Sequence, residues 1–158
     1  MSERLFHGKI FDVVRKEGMD VVAHGPAVAI VPVDRTGHVT FVRQERVAAG
    51  GKLLEIPAGG VEEGEAPLET AKRELREETG LHGGEWVEVA TFFTTPGFVD
   101  EKMHLFLATE LEQGEASPEG SEDIELVRVP VHEVPDLVEE VEDGKTLLGL
   151  LFLLRSHR

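Results

Sequence analysis

The chain has 158 residues, enough for one domain with a real core. Its 31 Asp and Glu against 16 Lys and Arg give a formal net charge of −15 at pH 7, a surface that repels nucleic-acid backbone and argues against polymeric DNA or RNA as a partner. Cysteine is absent, which excludes disulfides and thiol chemistry.

The start, Met1-Ser-Glu-Arg-Leu5, carries no apolar run, so a signal peptide is not expected and a cytoplasmic location is. The stretch Thr146 to Leu154 is apolar but too short to span a membrane, and reads as a buried C-terminal helix. Asn and Tyr are missing and Gln occurs only at Gln44 and Gln113. A thermophilic origin and a codon-biased genome explain this scarcity equally well.

In chain order, Phe6 to Val14 and Met19 to Ala23 are β-leaning runs joined by a turn signal at Lys16-Glu-Gly18. Such a short, half-polar hairpin is not stable alone, so it is expected to add to a sheet or to a partner subunit. Pro26 to Val33, the turn Asp34-Arg-Thr-Gly37 and His38 to Gln44 read as a second hairpin. Its first strand is nearly all apolar and therefore central. Arg43 and Arg46 stand at the hairpin's exit, where guanidinium groups can grip phosphate or ribose oxygens, or simply form surface ion pairs.

The stretch Gly59 to Leu81 organises the chain. It reads G-x5-E-x7-R-E-U-x-E-E-x-G-U, with U aliphatic, through Gly59, Glu65, Arg73, Glu74, Leu75, Glu77, Glu78, Gly80 and Leu81. Gly59, Gly60 and Gly64 form an entry loop, Pro67 suits a first helical turn and Gly80 supplies a left-handed stop. Leu68, Ala71 and Leu75 make a narrow apolar stripe. Glu74 and Glu78 lie one turn apart on its flank, while Glu77 points towards Arg73, four residues earlier, and pairs with it. Two stacked carboxylates suit a hard divalent cation such as Mg²⁺, which takes one or two carboxylates and completes its shell with water and substrate phosphates.

Beyond this stretch, Glu85 to Phe93 and Met103 to Ala108 are strands, joined through Thr94-Thr-Pro96-Gly97-Phe98-Val-Asp100-Glu101-Lys102. Phe98 reads as core, with stacking on a base as the alternative. Leu111 to Ser121 is a polar Glu-, Gly- and Pro-rich loop, of a kind that often carries catalytic groups. A strand follows from Glu122 to Val129, then a helix from Asp136 to Asp143 capped by Asp136 and ended by Gly144, then the last helix from Thr146 to Ser156. The seven histidines show no ligand spacing.

The Gly59–Leu81 pattern resembles the Nudix box, with every specified position filled. The resemblance implies the Nudix α/β/α sandwich with a mixed sheet over residues 25–158, and an N-terminal β-hairpin, residues 1–24, that crosses between the subunits of a homodimer. In that setting Lys9, Ile10 and Asp20 are substrate contacts in the adenosine site. The implied metal ligands are the Ala58 carbonyl, Glu74 and Glu78, holding Mg²⁺, with Mn²⁺ or Zn²⁺ as alternatives. Pro96 and the run Pro-Gly-Phe-x-Asp-Glu look like the mark of ADP-ribose pyrophosphatases, and place Glu101 at the diphosphate with Arg46 and Arg43. In the resembling enzymes a glutamate on the later loop activates water. Glu122 aligns best with it and Glu119 second, and Arg73 and Glu77 complete the catalytic set. The expected reaction is hydrolysis of ADP-ribose to AMP and ribose 5-phosphate. Another nucleoside diphosphate derivative, such as a nucleotide sugar or flavin dinucleotide, and a sensor that binds without cutting are the alternatives.

Overall fold

The computed structural model describes residues 3–117 and 123–156. In chain order the strands are β1 (Glu3–His7), β2 (Asp12–Lys16), β3 (Met19–Ala23), β4 (Ala27–Asp34), β5 (His38–Arg46), β6 (Gly51–Glu55) and β7 (Ala58–Gly60). Helix α1 (Pro67–Thr79) follows, then β8 (Leu81–Phe93), β9 (Lys102–Gln113), β10 (Glu125–Pro130), the single turn α2 (Val134–Leu137) and α3 (Gly144–Ser156).

Among the described residues the strands form two sheets. One is small, in the order β1-β2-β3. The other has seven strands, ordered β10-β5-β4-β9-β8, with β6 beside β5 and β7 beside β4. The sheet is mixed because β4 runs parallel to β9 while every other pairing within it is antiparallel. As its apolar sequence implies, β4 is central and buried along its whole length. Its pleat divides the core. Ala27, Ala29, Val31 and Val33 pack with Leu150 and Leu153 of α3, while Val28 and Ile30 pack with Ala71 and Leu75 of α1. The two helices thus cover opposite faces, giving the expected α/β/α sandwich. Gly149 lets α3 lie close on the sheet, since a Cβ there would stand 2.7 Å from Val31 Cγ2.

Several local expectations change. The N-terminal run is three strands rather than two, because a tight turn closed by Gly8 N–H to Phe11 O, at 3.0 Å, interrupts Phe6 to Val14. The small sheet joins the rest through Val22, whose N–H donates to Phe98 O at 2.7 Å and whose carbonyl accepts from Asp100 N at 3.1 Å. Phe98, read as core, is exposed instead. Strands β4 and β5 pair only at Val33 and Val39; along the rest of that edge β5 pairs with β6 and β4 with β7, while β10 and β9 run along their other edges. The box entry is not all loop, since Ala58–Gly60 pairs with β4. The helix expected from Asp136 to Asp143 is only one turn, at Val134–Leu137, and Asp136 caps nothing. Asp143 instead starts α3, accepting from Thr146 N at 3.0 Å and Thr146 Oγ1 at 2.6 Å, so Gly144 opens a helix rather than ending one. No described helix is long and apolar enough to cross a membrane.

Candidate active site

A cavity of about 700 Å³ opens at the end of the sheet where β4 begins. Ala58, Gly59 and Gly60 of β7 line it, together with the segment from Thr94 to Glu101, Arg46 at the end of β5, and Asp143 to Lys145 at the start of α3. The turn after β8 and the entry of the box therefore meet in one concavity, although some forty residues of sequence separate them.

Helix α1 sets one of its carboxylates, Glu74, against this wall. Gly59 packs directly on Glu74, and a Cβ at Gly59 would stand 2.2 Å from the Glu74 carboxyl carbon. Only glycine admits the side chain there. One carboxylate oxygen of Glu78 is buried, and its charge acts on Arg46, which ties it to the same cavity. Arg73 is the hub on the other flank. It donates to Glu65 through Nε and Nη2, each at 3.2 Å, and through Nη1 to Glu74 and Glu77, each at 3.1 Å. Hydrogen bonding to Glu65 raises the guanidinium pKa, and the Arg73 bond holds Glu65 below its ordinary value. The i,i+4 pair of Arg73 and Glu77 forms as the spacing predicts, and it turns Glu77 into a second cleft with Trp86 and His82, away from Ala58. The helix stops at Gly80, with φ of 77°, where its N–H donates to Arg76 O at 2.9 Å.

Arg46 reaches the cavity, but two of its nitrogens are engaged. Nε and Nη2 donate to Glu55 at 2.6 and 2.9 Å. The Glu55 side chain is 1% exposed and accepts a further bond from Lys145 Nζ at 2.5 Å. Burial pushes the Glu55 carboxyl up, but the hydrogen bonds from Arg46 and Lys145 outweigh it and leave the pKa lowered. Glu101 lies in the same cavity, fixed by Thr94 Oγ1 at 2.7 Å and within 3.3 Å of His24 Nδ1.

The remaining sequence candidates lie elsewhere. Arg43 pairs with Glu125 at 3.0 Å and lines a smaller cleft with Lys52 and Leu54. Strand alternation explains this, since Arg43 and Arg46 differ by an odd step along β5 and so face opposite sides. Lys9 and Ile10 occupy the exposed turn after β1, and Asp20 pairs with Arg15 at 2.8 Å on the N-terminal sheet. Glu119 and Glu122 lie outside the described residues. The stem before them is sewn to the box helix, with Gly114 N–H on Gly80 O and Ser117 N–H on Glu77 O, each at 3.0 Å. Sequence reasoning missed Glu55, Lys145 and His24. Glu55 did carry a signal, being a charge inside the apolar run Leu53-Leu54-Glu55-Ile56.

The donor chemistry fits a hard divalent ion. Ala58, with its backbone carbonyl, lines the cavity, Glu74 is held against Gly59 in a cradle that a larger residue there would fill, and Glu78 has one buried oxygen and acts on Arg46 of the same cavity. Among the described residues no group of three or more His, Asp or Glu forms a ready metal cage. Such a site suits an ion that draws much of its shell from phosphate and water.

The sequence pattern of the NUDIX domain matches residues 23–148. The chain is 37% identical to the ADP-ribose pyrophosphatase of Bacillus subtilis (strain 168), over 96% of this chain and 89% of that one. It is 31% identical to the GDP-mannose pyrophosphatase of Shigella flexneri serotype 5b (strain 8401), over 99% and 92%. A crystal structure of an ADP compounds hydrolase shares its fold with a TM-score of 0.80 at 24% identity, covering 99% of this chain and 91% of the other. The chain belongs to the Nudix family and is a hydrolase of the pyrophosphatase kind.

Proposed function

We propose that the protein hydrolyses ADP-ribose to AMP and ribose 5-phosphate in a Mg²⁺-dependent reaction, as a homodimer. The observation that carries this reading is the meeting of two segments in one cavity. The box entry contributes Ala58 and Gly59, and the Pro96-Gly97 segment contributes Val99 and Glu101. The similarity to the Bacillus subtilis ADP-ribose pyrophosphatase supports the same substrate.

Ala58, Glu74 and Glu78 would hold the ion. When bound, it would neutralise diphosphate charge and activate the attacking water. Arg46 and Glu101 orient the substrate. Arg73 keeps Glu77 and Glu74 in place through its paired bonds. Glu122 accepts the proton of the water as it attacks one phosphorus; the bridging P–O bond breaks, and its electron pair leaves on the other phosphate. The box carboxylates are poorly suited to that task, because a neighbouring cation lowers their basicity.

The similarity to a GDP-mannose pyrophosphatase keeps nucleotide sugars as a second reading. A panel of ADP-ribose, GDP-mannose and flavin adenine dinucleotide, assayed with Mg²⁺ and with EDTA, decides between them. ADP-ribose is expected to give the highest kcat/KM, with AMP and ribose 5-phosphate as products and no turnover in EDTA. A clear preference for GDP-mannose would overturn the assignment, and binding of ADP-ribose without turnover would make the protein a sensor.

A further inference from the structure

We infer that Lys145 is a second phosphate-contacting cation of the cavity, and that the buried carboxylate of Glu55 is the positioning residue that holds Arg46 and Lys145 there. The inference deepens the proposed function and rests on its reading of the cavity as the diphosphate site.

Among the described residues, the basic side chains lining the cavity are His24, Arg46 and Lys145. Arg46 and Lys145 come from distant elements, the end of β5 and the start of α3, yet both close on the same carboxylate. Glu55 does not need both of them. The fork of Arg46 already supplies a donor to each of its oxygens, at 2.6 and 2.9 Å. A second cation at 2.5 Å therefore exceeds what satisfying a buried carboxylate requires. Lys145 is itself only 14% exposed, and two carboxylates, Glu55 and Asp143, hold its ammonium group there.

Counting donors shows what remains. A guanidinium has five N–H bonds and an ammonium three. Arg46 commits Nε and one bond of Nη2 to Glu55; Lys145 commits one bond to Glu55 and one to Asp143, at 3.0 Å. Both N–H bonds of Arg46 Nη1, the second of Nη2, and one N–H of Lys145 are left for oxygens in the cavity. The acids behind these cations are well anchored, since Asp143 also caps α3 through Thr146, and Thr146 Oγ1 accepts from the buried Ile56 N at 2.8 Å. The backbone next to Glu55 and the start of α3 are thus one unit, and both cations are aimed by it. A structural ion pair alone would not need to face a cavity that also holds Ala58, Gly59 and Glu101.

The probe is ADP in EDTA, so that neither turnover nor a metal contributes and the diphosphate meets only the chain's own cations. Calorimetry would give Kd for the wild type, Arg46→Ala, Glu55→Gln, the Arg46→Ala/Glu55→Gln double variant, Lys145→Met and Lys145→Arg, with the melting temperature of each recorded. Arg46→Ala and Lys145→Met are each expected to weaken ADP about tenfold or more, as loss of a charge-assisted bond does. Lys145→Arg should recover most of that loss. Glu55→Gln is expected to weaken ADP as well, and to cost less in the Arg46→Ala background than in the wild type, because Glu55 acts partly through Arg46 and partly through Lys145. The same pattern should appear in KM more than in kcat for whichever diphosphate the wild type turns over. Wild-type affinity in Lys145→Met, full additivity in the double variant, or no ADP binding by the wild type would each overturn the inference. If Glu55→Gln fails to fold, the Lys145 pair and Glu55→Asp still decide it. ADP-ribose hydrolysis by the wild type alongside unchanged ADP affinity in every variant would sink this inference alone and leave the proposed function standing.

Discussion

At the scale of single residues, buried charge divides into two kinds by where it sits relative to β4. Near the cavity, Glu55 carries two cations. At the far end of the strand, Asp34 is 8% exposed and ties a turn together. Its Oδ1 accepts from Thr36 Oγ1 at 2.7 Å, Thr36 N at 2.9 Å and His38 N at 3.2 Å, and its Oδ2 from Arg128 Nη2 at 2.5 Å. Burial alone would raise the Asp34 carboxyl pKa, but these bonds outweigh it and bring the value from 3.8 down to about 2. A folded-state value below the unfolded one means that the ionised carboxylate stabilises the fold above the unfolded pKa, and that this contribution fades as pH falls through the folded one. The shift corresponds to about 2 kcal/mol. Asp34→Asn is therefore expected to lose about that much stability at pH 7, with the gap to wild type narrowing between about pH 4 and about pH 2. Urea unfolding at pH 7 and at acid pH reads this directly, and a gap that stays constant with pH would refute the electrostatic account. Because Asp34 stands at the opposite end of β4 from Ala27 at the cavity, kcat should not change.

At the scale of elements, the box helix was legible because each of its parts has a local cause. Pro67 opens it, Gly80 stops it, and Ala71 and Leu75 bury its stripe. The flanking pieces were not legible. Strand β6, Gly-Lys-Leu-Leu-Glu, has no strand-like alternation and exists because β5 offers it a free edge. The start of α3 depends on Asp143 meeting Thr146, while the composition of Asp136 to Asp143 suits a helix that never forms. Glu55 and Lys145 meet only through tertiary folding, so no spacing in the sequence could pair them. The stem after β9 is a similar case. Its bonds to Gly80 O and Glu77 O bring the start of the polar loop to the end of the box helix, next to the carboxylates. The proposed function puts the proton acceptor further along that loop. Glu122→Gln is expected to lower kcat by about 10²–10⁴ with little change in KM, and Glu119→Gln to do much less. Steady-state kinetics on the two variants tests it. A reversed order keeps the loop and moves the base to Glu119, and two effects below about tenfold would return the role to Glu77.

At the scale of the whole molecule, the two sheets are unequal partners. The seven-stranded sheet has a helix on each face, whereas among the described residues β1 to β3 have none. The small sheet meets the rest of the chain through Val22 and through Asp100, which accepts from His24 N at 2.9 Å and Lys16 Nζ at 3.1 Å. Its valines are half-buried within the chain, but Phe6 is 54% exposed, Met19 61% and, in the turn after β1, Ile10 74%. With a net charge of −15 resisting self-association in general, a surface of this kind favours one specific partner over loose aggregation. In the proposed homodimer a second copy of the chain would cover these residues and would bring Lys9, Ile10 and Asp20, which do not line their own chain's cavity, towards the partner's. Deleting residues 1–24 is therefore expected to leave a folded Nudix core, because the contacts of β4 with α1 and α3 are untouched. It should convert dimer to monomer and raise KM for the substrate. Light scattering, circular dichroism and steady-state kinetics together separate these effects. A monomeric full-length protein, or a deletion that stays dimeric, would show that the small sheet does not make the interface. A monomeric deletion with unchanged KM would keep the interface and remove the N-terminal residues from the substrate site.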